Sequence, residues 1–101
     1  MTPDSTDALL AERGRTHGRF EDHASITQQI KRIIIAEVCV RHNEDRPSLT
    51  DGQLEALEMI AHKIGRILAG DADYADHWDD IAGYALLGRD SARTPTSTSN
   101  H

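Results

Sequence analysis

Acidic side chains at helical spacing mark two neighbouring segments of the sequence. Glu55 and Glu58 stand three residues apart, and Asp76 and Asp80 stand four residues apart. Residues at these spacings share one face of an α-helix. Two antiparallel helices joined by a short loop would bring the four carboxylates together, and such oxygen ligands suit Mg²⁺, with Mn²⁺ as a substitute. An ordinary solvated helix surface has the same appearance, so both interpretations stay open.

Cations, histidines and a tyrosine accompany the acids. Lys63 and Arg66 follow Glu58 on the first segment. They are the first choices for contacts to phosphate groups, and ion pairs to nearby acids are the alternative. We expect Trp78 in the core, because it falls on the apolar side of its helix. Further candidates for substrate contacts lie beside the acidic faces: His62, His77 and Tyr84.

A basic segment interrupts the acidic sequence at residues 13–20, which read RGRTHGRF. Its two glycines predict a loop rather than a helix. Three arginines together with His17 can hold an anion, so this segment is a reserve set of phosphate contacts. A solvated turn with Phe20 inserted in the core is the alternative interpretation.

The remaining pattern predicts the helices that must position these side chains. We expect a short helix within residues 1–12, and apolar residues at three- and four-residue steps predict a core helix over residues 22–41. A third helix is predicted over residues 51–69 and a fourth over residues 75–87. Thr50 or Ser48 is the expected N-cap of the third helix, and Gly70 and Gly88 are the expected ends of the third and fourth.

Composition favours packed helices. Hydrophobic residues make up 38% of the chain and aromatic residues 4%, so the core must be built from aliphatic side chains. We therefore expect an all-α fold, a small bundle of about four helices formed by residues 1–89 as a single domain. At 101 residues a lone core is modest, so oligomerisation is expected to complete it. Residues 90–101 are polar and are predicted to be disordered.

The charge and the absence of certain segments limit the partners. A formal net charge of −6 argues against binding to a nucleic acid polymer, because phosphate backbones attract basic surfaces. No apolar run is long enough for a membrane helix, and the first residues lack the form of a signal peptide. Cys39 is the single cysteine, which fits a reducing compartment and a buried position. We expect a cytoplasmic protein.

Three motifs carry a family resemblance: THGxF at residues 16–20, EALEMIAxKIxRI at residues 55–67, and DHWxDIAGY at residues 76–84. Through them the sequence resembles the small MazG-like proteins of phages and prophages, within the MazG-like all-α NTP pyrophosphatase superfamily. The likeness spans about residues 12–88. It implies hydrolysis of a nucleoside triphosphate, (d)NTP and water giving (d)NMP and pyrophosphate, by a homodimer or homotetramer.

The resemblance also implies roles for individual acids. Glu55, Glu58 and Asp80 match catalytic carboxylates that hold Mg²⁺, and one of them acts as a base toward water. The family commonly has Glu where His77 stands. Asp76 is therefore a candidate for the missing metal ligand, and His77 for a substrate contact. A non-catalytic helical interaction or regulatory protein of phage or prophage origin is the alternative function.

Overall fold

The computed structural model describes residues 5–44 and 48–93 of the chain. These residues form four α-helices: α1 (Ser5–His17), α2 (Phe20–Asn43), α3 (Asp51–Ala69) and α4 (Ala75–Asp90). The prediction of an all-α bundle of about four helices is confirmed, and the described ranges contain no strand. None of these helices has the length and apolar character needed to cross a bilayer. Most of the predicted disordered tail, residues 94–101, lies outside the described part of the chain.

α3 is the helix against which the other three pack. Its start is fixed by Thr50, whose Oγ1 accepts a hydrogen bond from the Gln53 amide at 3.0 Å. The Gln53 side chain in turn accepts from the Thr50 amide at 2.9 Å, which completes a capping box. An N-cap of this kind stabilises a helix by ~1 kcal/mol. Thr50 is therefore the N-cap, one of the two residues expected for that role.

α2 and α3 are antiparallel and are in tight contact at Gly65. A Cβ on Gly65 would lie 2.5 Å from Thr27 Oγ1 and 2.8 Å from the His23 carbonyl oxygen. Further along the pair, Lys31 Nζ of α2 lies 3.3 Å from Glu58 Oε2 of α3. The two contacts show that the helices are antiparallel, because a later residue of α2 (Lys31 after Thr27) contacts an earlier residue of α3 (Glu58 before Gly65).

α4 runs antiparallel to α3 along a third side. Gly88 lies against Ala56 near one end of the pair, and a Cβ on Gly88 would be 3.2 Å from Ala56 Cβ. Nearer the other end, Lys63 and Asp80 form an ion pair. The buried apolar residues of the described chain all belong to α3: Ala56, Ala61 and Ile67.

The end of α1 meets the link between α3 and α4. Gly18 has a φ of 78°, a left-handed conformation that favours glycine. A Cβ on Gly70 would lie 2.5 Å from the Gly18 amide nitrogen, so the backbones of these two segments are in direct contact. The Thr16 carbonyl accepts hydrogen bonds from the Asp71 amide at 3.1 Å and from His77 Nε2–H at 2.8 Å. We call this meeting point the junction.

The predicted basic loop is wrong for most of its length. α1 continues to His17, so only Gly18 and Arg19 separate α1 from α2. Gly14 is accommodated inside α1, because a glycine within a helix costs only ~1 kcal/mol relative to alanine. The expected end of the fourth helix is wrong for a similar reason. Gly88 continues α4 and allows the close approach to α3, and the helix ends at Asp90.

Three burial predictions are also wrong. Trp78 is 53% exposed, because its indole N–H donates to the Ala72 carbonyl at 2.7 Å in the link. Cys39 is exposed, since it is turned away from the face of α2 that packs on α3. Phe20 is 71% exposed as the first residue of α2, and it does not enter the core.

Two glycine substitutions should change stability in opposite directions. Gly65→Ala should destabilise the chain by roughly 1–3 kcal/mol, because its methyl group overlaps Thr27 and the α2 backbone. Gly83→Ala should stabilise it by roughly 0.5–1 kcal/mol, since nothing lies within 4 Å of that helical position. Urea denaturation followed by circular dichroism measures both changes. Equal effects of the two substitutions would contradict the packing described.

Candidate functional site

Two of the predicted carboxylates are paired with lysines. Glu58 Oε2 lies 3.3 Å from Lys31 Nζ of α2, and both side chains are about one-quarter exposed. Asp80 Oδ2 lies 2.8 Å from Lys63 Nζ of α3. The hydrogen bond and charge of Lys63 lower the pKa of Asp80, so this carboxylate is ionised at neutral pH. Each acid therefore already has an ammonium partner.

The other two carboxylates, Glu55 and Asp76, are exposed. Asp76 interacts with Tyr74, and its hydrogen bond and charge raise the pKa of that phenol. Across residues 5–44 and 48–93, no three His, Cys, Asp or Glu side chains form a group able to hold a metal ion. The described residues thus do not fit a Mg²⁺ or Mn²⁺ site built by this chain alone.

His77 lies inside the junction and is 1% exposed. Its Nε2–H donates to the Thr16 carbonyl, and the rings of His17 and Tyr74 pack against it at centroid distances of 4.7 and 4.8 Å. His77, which was predicted to contact the substrate, therefore joins α4 to α1. His17, in contact with it, is partly exposed and faces a neighbouring pocket.

A pocket of about 670 Å³ lies where α1, the start of α2 and α3 meet. Its charged and ring-bearing lining consists of Arg13, His17, Arg19, Phe20, His23 and Arg66. None of the acids within residues 5–44 and 48–93 lines it, although the chain as a whole has a net charge of −6. The pocket, which we call the basic pocket, is a local positive region suited to an anion.

Arg66 provides the wall of the basic pocket contributed by α3. Its Nε atom is buried and has no hydrogen-bond partner among the described residues. A buried donor left without a partner costs ~1–3 kcal/mol, and more when it is charged. Guanidinium groups donate to phosphate or carboxylate oxygens in a favourable planar geometry, so Arg66 is suited to contact an oxyanion in the pocket.

Three histidines lie near enough to Arg66 for its charge to lower their pKa values, and they are neutral at pH 7. Burial lowers the pKa of His17 to about 4, with a further contribution from the charge of Arg66. Burial also lowers the pKa values of His23 and His62, and Arg66 adds to the effect at both. Neutral imidazoles can each donate one hydrogen bond and accept another. His17 already uses Nδ1, which lies 2.6 Å from Thr16 Oγ1.

The predicted substrate contacts are divided among different places. His17 and Arg66 line the basic pocket, and Lys63 is near enough for its charge to lower the His17 pKa. His62 is partly buried within range of the same Arg66 charge. Tyr84 lies apart, on a groove between α3 and α4 that includes Ala56, Ile60 and Gly88.

Sequence reasoning missed His23 and treated Phe20 only as a core residue. His23 comes six residues after His17, on the other side of Gly18, and this spacing of two histidines around a glycine was the available signal. The signal is weak, because this spacing indicates a shared site only when it is known that α1 and α2 are separated by the two-residue turn Gly18–Arg19.

Comparisons of the chain with models of protein families, with characterised proteins and with solved structures find no match.

Stability should fall as the pH is lowered from 7 toward 4. The unfolded state takes up protons at histidines below their ordinary pKa of 6.5, whereas folded His17 resists protonation until about pH 4. His23 and His62 act in the same direction. His17→Asn should therefore lose less stability between pH 7 and pH 5 than the unmodified chain does. Urea denaturation at the two pH values measures the difference.

His42→Asn is the matched control for this prediction, because His42 lies on the exposed last turn of α2. It should keep the full pH dependence. The same reduction in both variants would contradict the assignment to His17.

Proposed function

We propose that the chain hydrolyses nucleoside triphosphates, (d)NTP and water giving (d)NMP and pyrophosphate. The observation that carries the proposal is that Arg66, whose buried Nε has no hydrogen-bond partner among the described residues, lines the basic pocket. Lys63 precedes Arg66 by one turn of α3 and bonds to Asp80. Arg66, which lines the pocket, and Lys63, which pairs with the ionised Asp80 of α4, therefore lie one turn apart on α3.

The proposal gives these side chains distinct roles. Arg66 and Lys63 neutralise the charge of the leaving pyrophosphate, which is the main task in phosphoryl chemistry. A water oxygen attacks the α-phosphorus, and the bond from that phosphorus to the bridging oxygen of the β-phosphate breaks. The proton of the water passes to a carboxylate, for which Asp80 and Glu58 are the candidates.

Mg²⁺, with Mn²⁺ as a substitute, enters the proposal through the motif resemblance. Glu58 and Asp80 each pair with a lysine. They do not belong to a group of side chains within the described residues that could hold a metal ion. No chemical step is therefore assigned to a metal held by this chain. We place the reaction in the cytoplasm, where nucleoside triphosphates are made and used.

Hydrolysis is tested with a panel of NTPs and dNTPs in the presence and absence of Mg²⁺, with pyrophosphate and orthophosphate assayed separately. We expect pyrophosphate as the product. Asp80→Asn and Glu58→Gln should lower kcat/KM, and loss of a general base typically costs ~10²–10⁴-fold. Asp79→Asn is the control, because Asp79 is an exposed acid of α4 directly beside Asp80 in the sequence.

Absence of pyrophosphate from every nucleotide would overturn the catalytic assignment. Full activity in both Asp80→Asn and Glu58→Gln would overturn the roles given to these acids.

An exposed apolar groove supports a second proposal, association of the chain with itself as a homodimer or homotetramer. The groove has a volume of about 350 Å³ and lies between α2 and the start of α3. Its apolar lining consists of Ile33, Ile34, Val38, Leu49 and Leu57. Few large apolar side chains within the described residues are buried. The alternative that this surface favours is therefore a helical interaction protein without catalysis.

Substitution of one groove residue tests self-association. Ile33 is 66% exposed, so Ile33→Glu leaves the fold intact while it places a charge in the groove. We expect the unmodified chain to sediment as a dimer or tetramer and Ile33→Glu as a monomer in analytical ultracentrifugation. Gln28→Glu adds the same charge at an exposed polar position of α2 and should not dissociate the oligomer. A monomeric unmodified chain would contradict this proposal.

A further inference from the structure

The basic pocket holds more positive charge than the folded chain compensates. Arg13 and Arg19 line it from the last turns of α1 and from the turn before α2. Neither forms an ion pair within the described residues, in contrast to Arg15, which pairs with Glu12 one turn earlier. With Arg66, three arginines therefore line the pocket, and no acid among the described residues does. This end of the pocket suits several negative charges on one ligand, as a chain of phosphate groups provides.

The start of α2 adds a smaller contribution of the same sign. The N-terminal end of a helix carries a partial positive charge, and Arg19, the N-cap residue, makes no side-chain hydrogen bond there. Glu21 and Asp22 in the first turn partly offset that charge, but both are exposed and neither lines the pocket. The arginines thus remain the main source of attraction for an anion.

The rim of the same pocket is aromatic and apolar. Phe20 is 71% exposed, and its ring meets the His23 ring edge-on at 5.3 Å. Leu10, which is 60% exposed, lies on the same lining. Packing among the described residues leaves this phenylalanine exposed, and a planar base could stack on its ring.

The size and charge of the molecule favour a single nucleotide over a nucleic acid strand. A volume of about 670 Å³ is typical of a pocket for one small ligand. Proteins that bind single strands use several aromatic platforms along a basic groove. Here one phenylalanine adjoins one basic pocket in a chain with net charge −6.

We infer that the basic pocket is a nucleotide-binding site in which Arg13, Arg19 and Arg66 hold the phosphates and Phe20 stacks on the base. The inference adopts the substrate class of the proposed function but does not depend on hydrolysis. Guanidinium groups bind phosphate without a metal ion, so binding in this pocket persists when divalent cations are removed.

Binding is measured by isothermal titration calorimetry on the full chain in EDTA, with ATP and inorganic tripolyphosphate as the two probes. Phe20→Ala should weaken ATP binding ~10-fold, the loss expected when a stacked base loses its aromatic partner. It should leave tripolyphosphate binding within about twofold, because that probe has no base. Phe20→Trp should retain ATP binding. Arg19→Ala should weaken both probes, and Arg32→Ala, an exposed arginine of α2 outside the pocket, should weaken neither.

Phe20 and Arg19 are exposed, so their substitution leaves the fold intact, and matching thermal unfolding curves verify this. The inference is overturned if tripolyphosphate does not bind in EDTA, or if Phe20→Ala changes the two probes equally.

The experiments distinguish a failure of the proposed hydrolysis from a failure of the proposed nucleotide binding. Pyrophosphate release with a KM unchanged by Phe20→Ala and Arg19→Ala would overturn the pocket assignment and leave the proposed function standing. Binding with the expected losses but without pyrophosphate release would support the pocket and overturn the proposed function.

Discussion

The carbonyl oxygen of Thr16 connects three helices at one end of the bundle. A carbonyl has two lone pairs, and here one accepts the Asp71 amide hydrogen and the other accepts the ring N–H of His77. The end of α1 is thereby tied to both the α3–α4 link and the first turn of α4. Because α1 ends at this point, its last turn carries His17 to the side of the bundle where Arg66 of α3 emerges. The basic pocket depends on that connection.

The basic pocket limits repulsion among its own positive charges, because the histidines beside its arginines are neutral. The three arginines line a pocket to which no acid of the described residues contributes. The histidines beside Arg66 stay neutral because burial and the Arg66 charge lower their pKa values. Neutral histidines add no repulsion. The unpartnered Nε of Arg66 still costs stability, and uncompensated polar groups of this kind are concentrated at functional sites.

The two lysine–carboxylate ion pairs of α3 affect the packing of the helices. Lys31 on Glu58 and Lys63 on Asp80 join α3 to α2 and to α4, and both ammonium groups are largely shielded by the chain. They provide polar connections in a bundle whose buried apolar side chains are few. The same acids that a metal or a water molecule would need are thus already part of the packing. A catalytic role for them requires that a polyanion draw the ammonium groups away.

Local signals in the sequence determined the number of helices, the bounds of α3 and the identity of most of the candidate side chains. The bounds of α3 follow from its apolar spacing, the Thr50 cap and Gly70, all of which act within a few residues. The neighbours of each side chain were decided only by tertiary packing. Helical spacing places a residue on a face but does not say which helix covers that face. For that reason the contact between His77 and Thr16, separated by 61 residues, could not be read from the sequence. The pocket lined by Phe20 and Arg66 could not be read from it either.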